Sequence, residues 1–182
     1  MNLSDRAKAP RGLKKITKTR LKNIGLYYLE RFEASVKSFK DVLRRRVDKY
    51  AFQNPDFEKK EAYLWIDEIA EEFERLGYLS DERFAEMKVK DYLLAGKSAR
   101  YIKTKLKLKG IDESAVDVVI ETQDYDAKEA ALKLAKKKHI GPYRTNQEAR
   151  KENLKKDMAA LLRAGFDYDV VSDILGTNFE EE

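Results

Sequence analysis

The chain has 182 residues, of which 42% are hydrophobic and 39% charged, and its net charge is +5 with a pI of about 9.1. Eight glycines and three prolines are too few for a turn-rich all-β protein, and a chain without cysteine can form no disulfide, thiol nucleophile or cysteine-ligated metal site. No apolar run approaches the roughly 18 residues that span a bilayer, and the N-terminus lacks the apolar stretch of a secretory signal, so we expect a cytoplasmic protein.

Residues 1–19 predict a flexible basic arm, because they are too polar to pack against a core. Their only acidic residue is Asp5, and six cationic residues stand against it: Arg6, Lys8, Arg11, Lys14, Lys15 and Lys18. Such an arm suits contact with a polyanion, either nucleic acid or anionic lipid. The alternative is a solvated tail without a partner.

Three helices are predicted over residues 20–79, where the apolar residues take on helical spacing. The first begins near Thr19 and is marked by Leu21, Ile24, Tyr28 and Phe32. The second is marked by Val36, Phe39, Val42, Leu43 and Val47. After a break at Asn54-Pro55, the third runs from about Asp56 to Leu76, with an inner face of Leu64, Trp65, Ile69, Phe73 and Leu76. Gly77 then ends it.

Two further groups of three helices follow, over residues 80–123 and, less clearly, over residues 124–176. Ser80 and Asp81 have the side chains that cap a helix N-terminus and therefore open the second group. A short acidic tail, residues 177–182, closes the chain. The sequence therefore predicts an all-α fold: a tandem array of three three-helix units, nine helices in all.

An internal repeat supports this organisation, because a shift of 63 positions places apolar and basic residues of the first unit on similar residues of the second. Residues of the first unit that keep their character are Arg20, Leu21, Ile24, Leu29, Ser35, Lys37, Phe39, Lys40 and Leu43. A shift of 55 positions relates the second unit to the third in the same way, from Leu106 onto Leu161. A repeated unit of this size cannot bury its apolar face alone, so its copies pack in series.

A basic stripe on the second helix of a unit is the strongest functional signal. Arg100, Lys103 and Lys107 have the i, i+3, i+7 spacing of one helix face, and the 63-residue shift places them on Lys37, Lys40 and Arg44. We interpret both stripes, together with Arg83, as residues that bind a phosphate backbone or an acidic partner. The competing interpretation is a lysine-rich solvated surface. The third unit keeps only Lys155 of the stripe.

Other candidate chemistries find little support. The aromatic residues lie mainly at apolar helix positions, and only Tyr101 and Tyr143 stand beside basic residues where they could stack on a base. His139 is the only histidine, and Glu68, Glu71 and Glu72 lack the histidine spacing of a metal site. No phosphate-binding glycine loop is present. We expect neither catalysis nor a metal or cofactor.

Three stretches resemble the RecX family, the bacterial regulators of the RecA recombinase. The first is Leu26-Tyr27-Tyr28-Leu29-Glu30-Arg31-Phe32, followed by Ser35 and Leu43-Arg44-Arg45. The second, and the most specific, is Gly77-Tyr78-Leu79-Ser80-Asp81-Glu82-Arg83-Phe84-Ala85. The third is Gly96-Lys97-Ser98, then Ile102 and Leu106 through Lys109-Gly110-Ile111. The resemblance covers residues 20–121 well and residues 122–176 weakly, and the segment from about Tyr50 to Glu61 is longer than the minimal family pattern.

This resemblance implies a non-enzymatic, monomeric regulator of homologous recombination, DNA repair and the SOS response to DNA damage. Such proteins are curved, elongated arrays of three-helix units. They bind in the groove of the RecA–DNA filament and modulate, most often inhibit, its growth, ATPase and strand exchange. The partners implied are the RecA filament and single- or double-stranded DNA, without a membrane. The alternative is a stand-alone nucleic-acid-binding helical protein without a recombinase partner. Binding to naked DNA compared with binding to a preformed filament separates the two.

Overall fold

A computed structural model describes residues 14–177, which form nine α-helices and one short 3₁₀ turn, with no strand in that range. This confirms the all-α prediction. The chain divides into two compact units, with the break after Leu79. Within residues 14–177, no helix is both long enough and apolar enough to cross a membrane.

The first unit contains the helices α1 (Lys18–Leu29), α2 (Val36–Gln53) and α3 (Lys59–Arg75). Its core is built around Phe39 and Phe73, whose ring centroids lie 5.5 Å apart. Helix α1 approaches these rings closely because Gly25 has no side chain: a Cβ atom there would lie 2.8 Å from Cζ of Phe39. Substitution of this glycine would therefore overpack the core.

The start of the first unit differs from the prediction of an unpacked arm through residue 19. Helix α1 begins at Lys18, the Thr17 hydroxyl accepts from the Arg20 amide as its N-cap, and Ile16 is buried in the core. An isolated apolar residue among basic ones gives no periodic signal, which is why the sequence did not reveal this contact. Residues 1–13 of the predicted arm, and most of the predicted acidic tail, lie outside the described residues.

Two residues predicted on the inner face of the third helix are exposed instead: Leu64 and Leu76 are 56% and 54% exposed. Phe32, predicted to mark the first helix, follows the end of α1 and is also exposed. The buried face of α3 is rotated from the predicted one and consists of Ala62, Ile66, Ile69, Ala70 and Phe73. Small alanines occupy the interior because α3 packs closely on α2, and alanine carries little weight in an apolar pattern.

The second unit contains two successive three-helix bundles. The first of them, here the middle bundle, comprises α4 (Asp81–Leu94), α5 (Ala99–Leu108) and α6 (Glu113–Glu121). The C-terminal bundle comprises α7 (Ala127–Lys138), α8 (Gln147–Arg163) and α9 (Tyr168–Leu175), with the 3₁₀ turn at Gly141–Tyr143 between α7 and α8. Each has its own cluster of buried apolar residues, and Tyr125 packs against both.

The internal repeat is visible in the packing. Leu21 and its counterpart Phe84 are both buried, and so are Leu43, Leu106 and Leu161, which occupy one position of the repeat. Ser35 and Ser98 are also equivalent, and each caps the following helix by accepting from the amide three residues on. The sequence shifts of 63 and 55 positions therefore relate residues with the same structural task.

The two bundles of the second unit are joined by polar contacts as well as by Tyr125. The Ser98 hydroxyl donates to the Ala164 carbonyl at 2.7 Å, and the Ala99 amide donates to the Tyr125 hydroxyl at 3.2 Å. Gly165 has a φ of +92°, and a Cβ atom there would lie 2.6 Å from the Ser98 hydroxyl. This junction places the N-terminus of α5 beside the turn between α8 and α9.

Candidate nucleic-acid interface

Helix α5 presents one apolar face and one cationic face. Ile102 and Leu106 are fully buried in the core of the middle bundle. Arg100 and Lys107 are therefore left exposed on the outer face, with the half-buried Lys103 between them. The helix contains no acidic residue. Because the core fixes the rotation of α5, the predicted stripe is a defined row on the surface.

The stripe lines an open cleft of about 400 Å³ between α5 and the C-terminal bundle. One side of the cleft is formed by Arg100, Lys103, Thr104 and Lys107 of α5, and the opposite side includes Gly165, Phe166 and Asp167. Tyr125, Ala127 and Glu113 complete the lining with Ala99. The three stripe cations of the second unit are thus brought together at one concave surface.

The middle cation of the stripe already has an acidic partner. Lys103 Nζ lies 2.5 Å from Asp117 Oδ1 and 4.0 Å from Glu113 Oε1, both on α6. The hydrogen bond from Lys103 to Asp117 raises the pKa of the lysine, so its charge is retained at neutral pH. The structure records no ion pair for Arg100 or Lys107 within residues 14–177. Lys103 is therefore the stripe residue whose charge is directly offset by an ion pair, and the carboxylates of Glu113 and Asp167 also line the cleft.

The equivalent stripe of the first unit has the same arrangement. Lys37 is exposed on α2, while Lys40 Nζ and Arg44 Nη2 lie 3.1 Å and 3.5 Å from Asp67 Oδ1 on α3. The central lysine of each stripe thus pairs with an aspartate of the third helix in its own bundle. Neither aspartate was identified from the sequence.

Arg83 does not join either stripe. It is exposed on α4 and lines a different groove, of about 490 Å³, together with Lys90 of the same helix and Thr122 and Gln123 after α6. Glu86 and Met87 complete that groove, so its charge is mixed. The grouping of Arg83 with the stripe residues therefore remains a prediction without geometric support from the second unit.

Two further cations around Tyr101 were not identified from the sequence: Lys105 lies on α5, and Lys97 directly precedes the N-cap of that helix. Lys97 and Lys105 have their ammonium groups 4.9 Å and 5.5 Å from the ring centroid of Tyr101. The ring is half-buried and meets Tyr92 edge-on, with centroids 5.6 Å apart. Tyr101 therefore supports neighbouring cations instead of standing open to a base, whereas Tyr143 is 38% exposed. The four-residue spacing between Lys97, Tyr101 and Lys105 is the sequence feature that could have predicted these contacts.

Two of the three acidic residues considered for a metal site, Glu68 and Glu72, form ion pairs between helices. Glu68 pairs with Lys18, and Glu72 lies 2.6 Å from Lys22, so both carboxylates join α3 to α1. The bond from Lys22 lowers the pKa of Glu72. No group of three or more metal-binding side chains occurs in the part of the chain that the structure describes. His139 ends α7 in a left-handed conformation.

Comparisons with known proteins agree on one family. Residues 80–120 match the family model described as RecX, second three-helix domain. The chain is 36% identical over 173 residues to the regulatory protein RecX of Myxococcus xanthus, a match that covers 94% of this chain and 92% of that protein. It is 29% identical over 163 residues to the regulatory protein RecX of Agrobacterium fabrum, covering 88% and 84%. The fold is similar to the crystal structure of RecX from Lactobacillus salivarius, with a TM-score of 0.62 and 25% identity over 87% of this chain and 94% of that one.

Proposed function

Since this chain belongs to the RecX family of regulatory proteins, we propose that it binds the RecA–DNA filament and inhibits filament growth, ATPase activity and strand exchange. It acts without catalysis of its own, by occupying a surface that the working filament needs. The setting is homologous recombination, DNA repair and the SOS response in the cytoplasm, and the active form is a monomer.

The observation that carries this proposal is the repeated cationic row. Lys37, Lys40 and Arg44 in the first unit match Arg100, Lys103 and Lys107 in the second, and in both units the core holds the row on an outer helix face. A nucleoprotein filament presents phosphates and protein surfaces in a regular array. Two copies of one cationic row suit such a partner better than a single isolated site does.

The proposal is tested with RecA and single-stranded DNA. RecA assembles on the DNA with ATP, the protein is added in increasing amounts, and ATP hydrolysis is followed over time. We expect hydrolysis to fall as the protein is added and the filament to shorten. ATPase activity that stays unchanged while the protein demonstrably binds the filament would contradict inhibition, and no binding to the filament would contradict the proposal as a whole.

The second candidate function is direct binding of nucleic acid without a recombinase partner. It is favoured by α5 alone, whose exposed side chains include Arg100, Lys105 and Lys107 on a helix without any acidic residue. Such a surface binds the phosphate backbone of a nucleic acid regardless of its base sequence. Equal affinity for naked DNA and for the filament would favour this candidate.

A further inference from the structure

The proposed interface contains acidic residues that compete with an anionic partner. Asp117 lies 2.5 Å from Lys103, and Asp67 lies 3.1 Å from Lys40 and 3.5 Å from Arg44. Both aspartates come from the helix that follows the stripe, and both hold its central lysine. The arrangement occurs in two units, so it is a repeated feature of the surface.

These ion pairs are positioned to be exchanged. The side chains of Lys103 and Asp117 are 29% and 42% exposed, and those of Lys40 and Asp67 are 24% and 41% exposed. Water reaches all four, so the pairs contribute little to folding. A phosphate that approaches Lys103 must either displace Asp117 or bind beside its negative charge. The aspartate therefore subtracts from the attraction between the stripe and any polyanion.

A stripe designed for the tightest possible binding to DNA would lack these carboxylates. We propose that Asp117 and Asp67 are specificity-determining residues, which weaken binding to the phosphates of an isolated DNA strand so that stable binding requires the additional contacts of the filament. This inference rests on the proposed function and adds to it the residues that set the preference for the filament. The ligand that competes with each aspartate is a backbone phosphate.

The expected change in affinity for naked DNA follows from the strength of the ion pair between each aspartate and its lysine. An exposed ion pair is worth a factor of about two to five in an equilibrium constant, so each aspartate should weaken binding to naked DNA by about that factor. On single-stranded DNA, a cation that neutralises a phosphate adds about 0.7 to the slope of log affinity against log salt. Lys103 contributes less than this while Asp117 remains beside it, and the full amount once Asp117 is neutral.

The test compares Asp117→Asn with wild type on fluorescently labelled single-stranded DNA, measured by anisotropy at several salt concentrations. We expect Asp117→Asn to bind naked DNA about two- to five-fold more tightly, with a steeper salt dependence and a smaller preference for the RecA filament. Asp67→Asn should behave alike. The matched control is Asp91→Asn, which removes the same charge from an ion pair with Lys88 on α4, away from the cleft lining.

A double-mutant cycle assigns the effect to the pair itself. In a Lys103→Gln background, Asp117→Asn should no longer raise affinity by the same factor. The inference would be overturned if Asp91→Asn raised the affinity for naked DNA equally, or if Asp117→Asn raised it by the same factor in the Lys103→Gln background. Either result would mean that the net charge of the protein, and not the ion pair, determines the affinity. No rise in naked-DNA affinity for Asp117→Asn and Asp67→Asn would overturn it as well. The proposed function is judged separately, on whether the wild-type protein binds the filament.

Discussion

Asp157 shows how one buried residue organises a loop. Its side chain is 2% exposed, it accepts two bonds from the guanidinium of Arg144 at 2.6 Å and 2.7 Å, and it accepts from the Gly141 amide at 2.8 Å. These contacts tie the segment between α7 and α8 to the inner face of α8. This pair was not predictable from the sequence, because an aspartate in a lysine-rich helix is typical of a surface position.

We expect Asp157→Asn to destabilise the second unit by about 1–3 kcal/mol, because the buried amide presents an N–H donor where the carboxylate accepts bonds from Arg144 and Gly141. Urea denaturation followed by circular dichroism measures this. Asp169→Asn, an exposed substitution in the first turn of α9, is the control and should change stability by less than about 0.5 kcal/mol. A loss for Asp157→Asn as small as that of the control would mean that the pair does not hold the loop.

The same pair predicts an acid-sensitive component of stability. Burial raises the pKa of Asp157, but the bonds from Arg144 and the Gly141 amide outweigh burial and hold the pKa below its ordinary value. A lowered pKa stabilises the folded state above the ordinary aspartate value of about 3.9, and this contribution is lost as the pH falls through the folded-state value. Stability measured against pH should fall less steeply below about pH 4 in Asp157→Asn than in wild type. Parallel curves would contradict the assignment.

Substitution of Phe84 tests most directly whether equivalent positions of the internal repeat are both core positions. It is 4% exposed in the core of the middle bundle, at the position that Leu21 occupies in the first unit. Phe84→Ala should therefore cost about 3–5 kcal/mol of unfolding free energy. Leu94→Ala on the same helix, where the side chain is 72% exposed, should cost little. Similar denaturation midpoints for the two variants would show that Phe84 is not a core residue.

At the scale of helices, the positions of the helices along the chain were more predictable from the sequence than the contacts between them. Capping residues such as Ser80 and Ser98 predicted where helices begin. The apolar spacing of α5 predicted that its basic stripe lies on the exposed face. The pairing of the stripe with Asp67 and Asp117 was not predictable, because it depends on how α3 and α6 align with their neighbours. The longer loop between α2 and α3 also changes the number of residues between the second and third helices of the unit. The shift of 63 positions therefore does not align Asp67 with Asp117.

Helix α5 gives the clearest test of the proposed interface. Arg100→Gln combined with Lys107→Gln removes the two cations of the cleft for which the structure records no ion pair, and both side chains are exposed. We expect weaker filament binding and, on single-stranded DNA, a salt slope smaller by up to about 1.4, with stability unchanged within about 0.5 kcal/mol. The measurements are anisotropy at several salt concentrations and urea denaturation.

The matched control for this variant is Lys136→Gln combined with Lys137→Gln, which removes the same charge from the exposed last turn of α7. It should retain the preference for filament over naked DNA. Equal losses in the two double variants would mean that net charge, and not the cleft, determines binding.

For the whole molecule, the remaining prediction concerns the N-terminal segment. The buried Ile16 and the Thr17 cap belong to the first unit, so a deletion that spares folding must end at residue 13. Deletion of residues 1–13 removes Arg6, Lys8 and Arg11. We expect weaker binding and a flatter salt dependence, by nearly one unit of slope for each cation that neutralises a phosphate, on naked DNA and filament alike. Loss of the preference for the filament would instead place recognition in this segment.

The central claim is that the repeated cationic rows make this protein a ligand of the filament and not simply of DNA. The direct measurement is the affinity of the full chain for one labelled single-stranded DNA, either naked or covered with RecA and a non-hydrolysable ATP analogue, at several salt concentrations. The account predicts tighter binding to the filament at every concentration, and a loss of that advantage when Lys37, Arg44, Arg100 and Lys107 are all replaced by glutamine. Equal affinity for naked and covered DNA, or an advantage that survives these replacements, would contradict it.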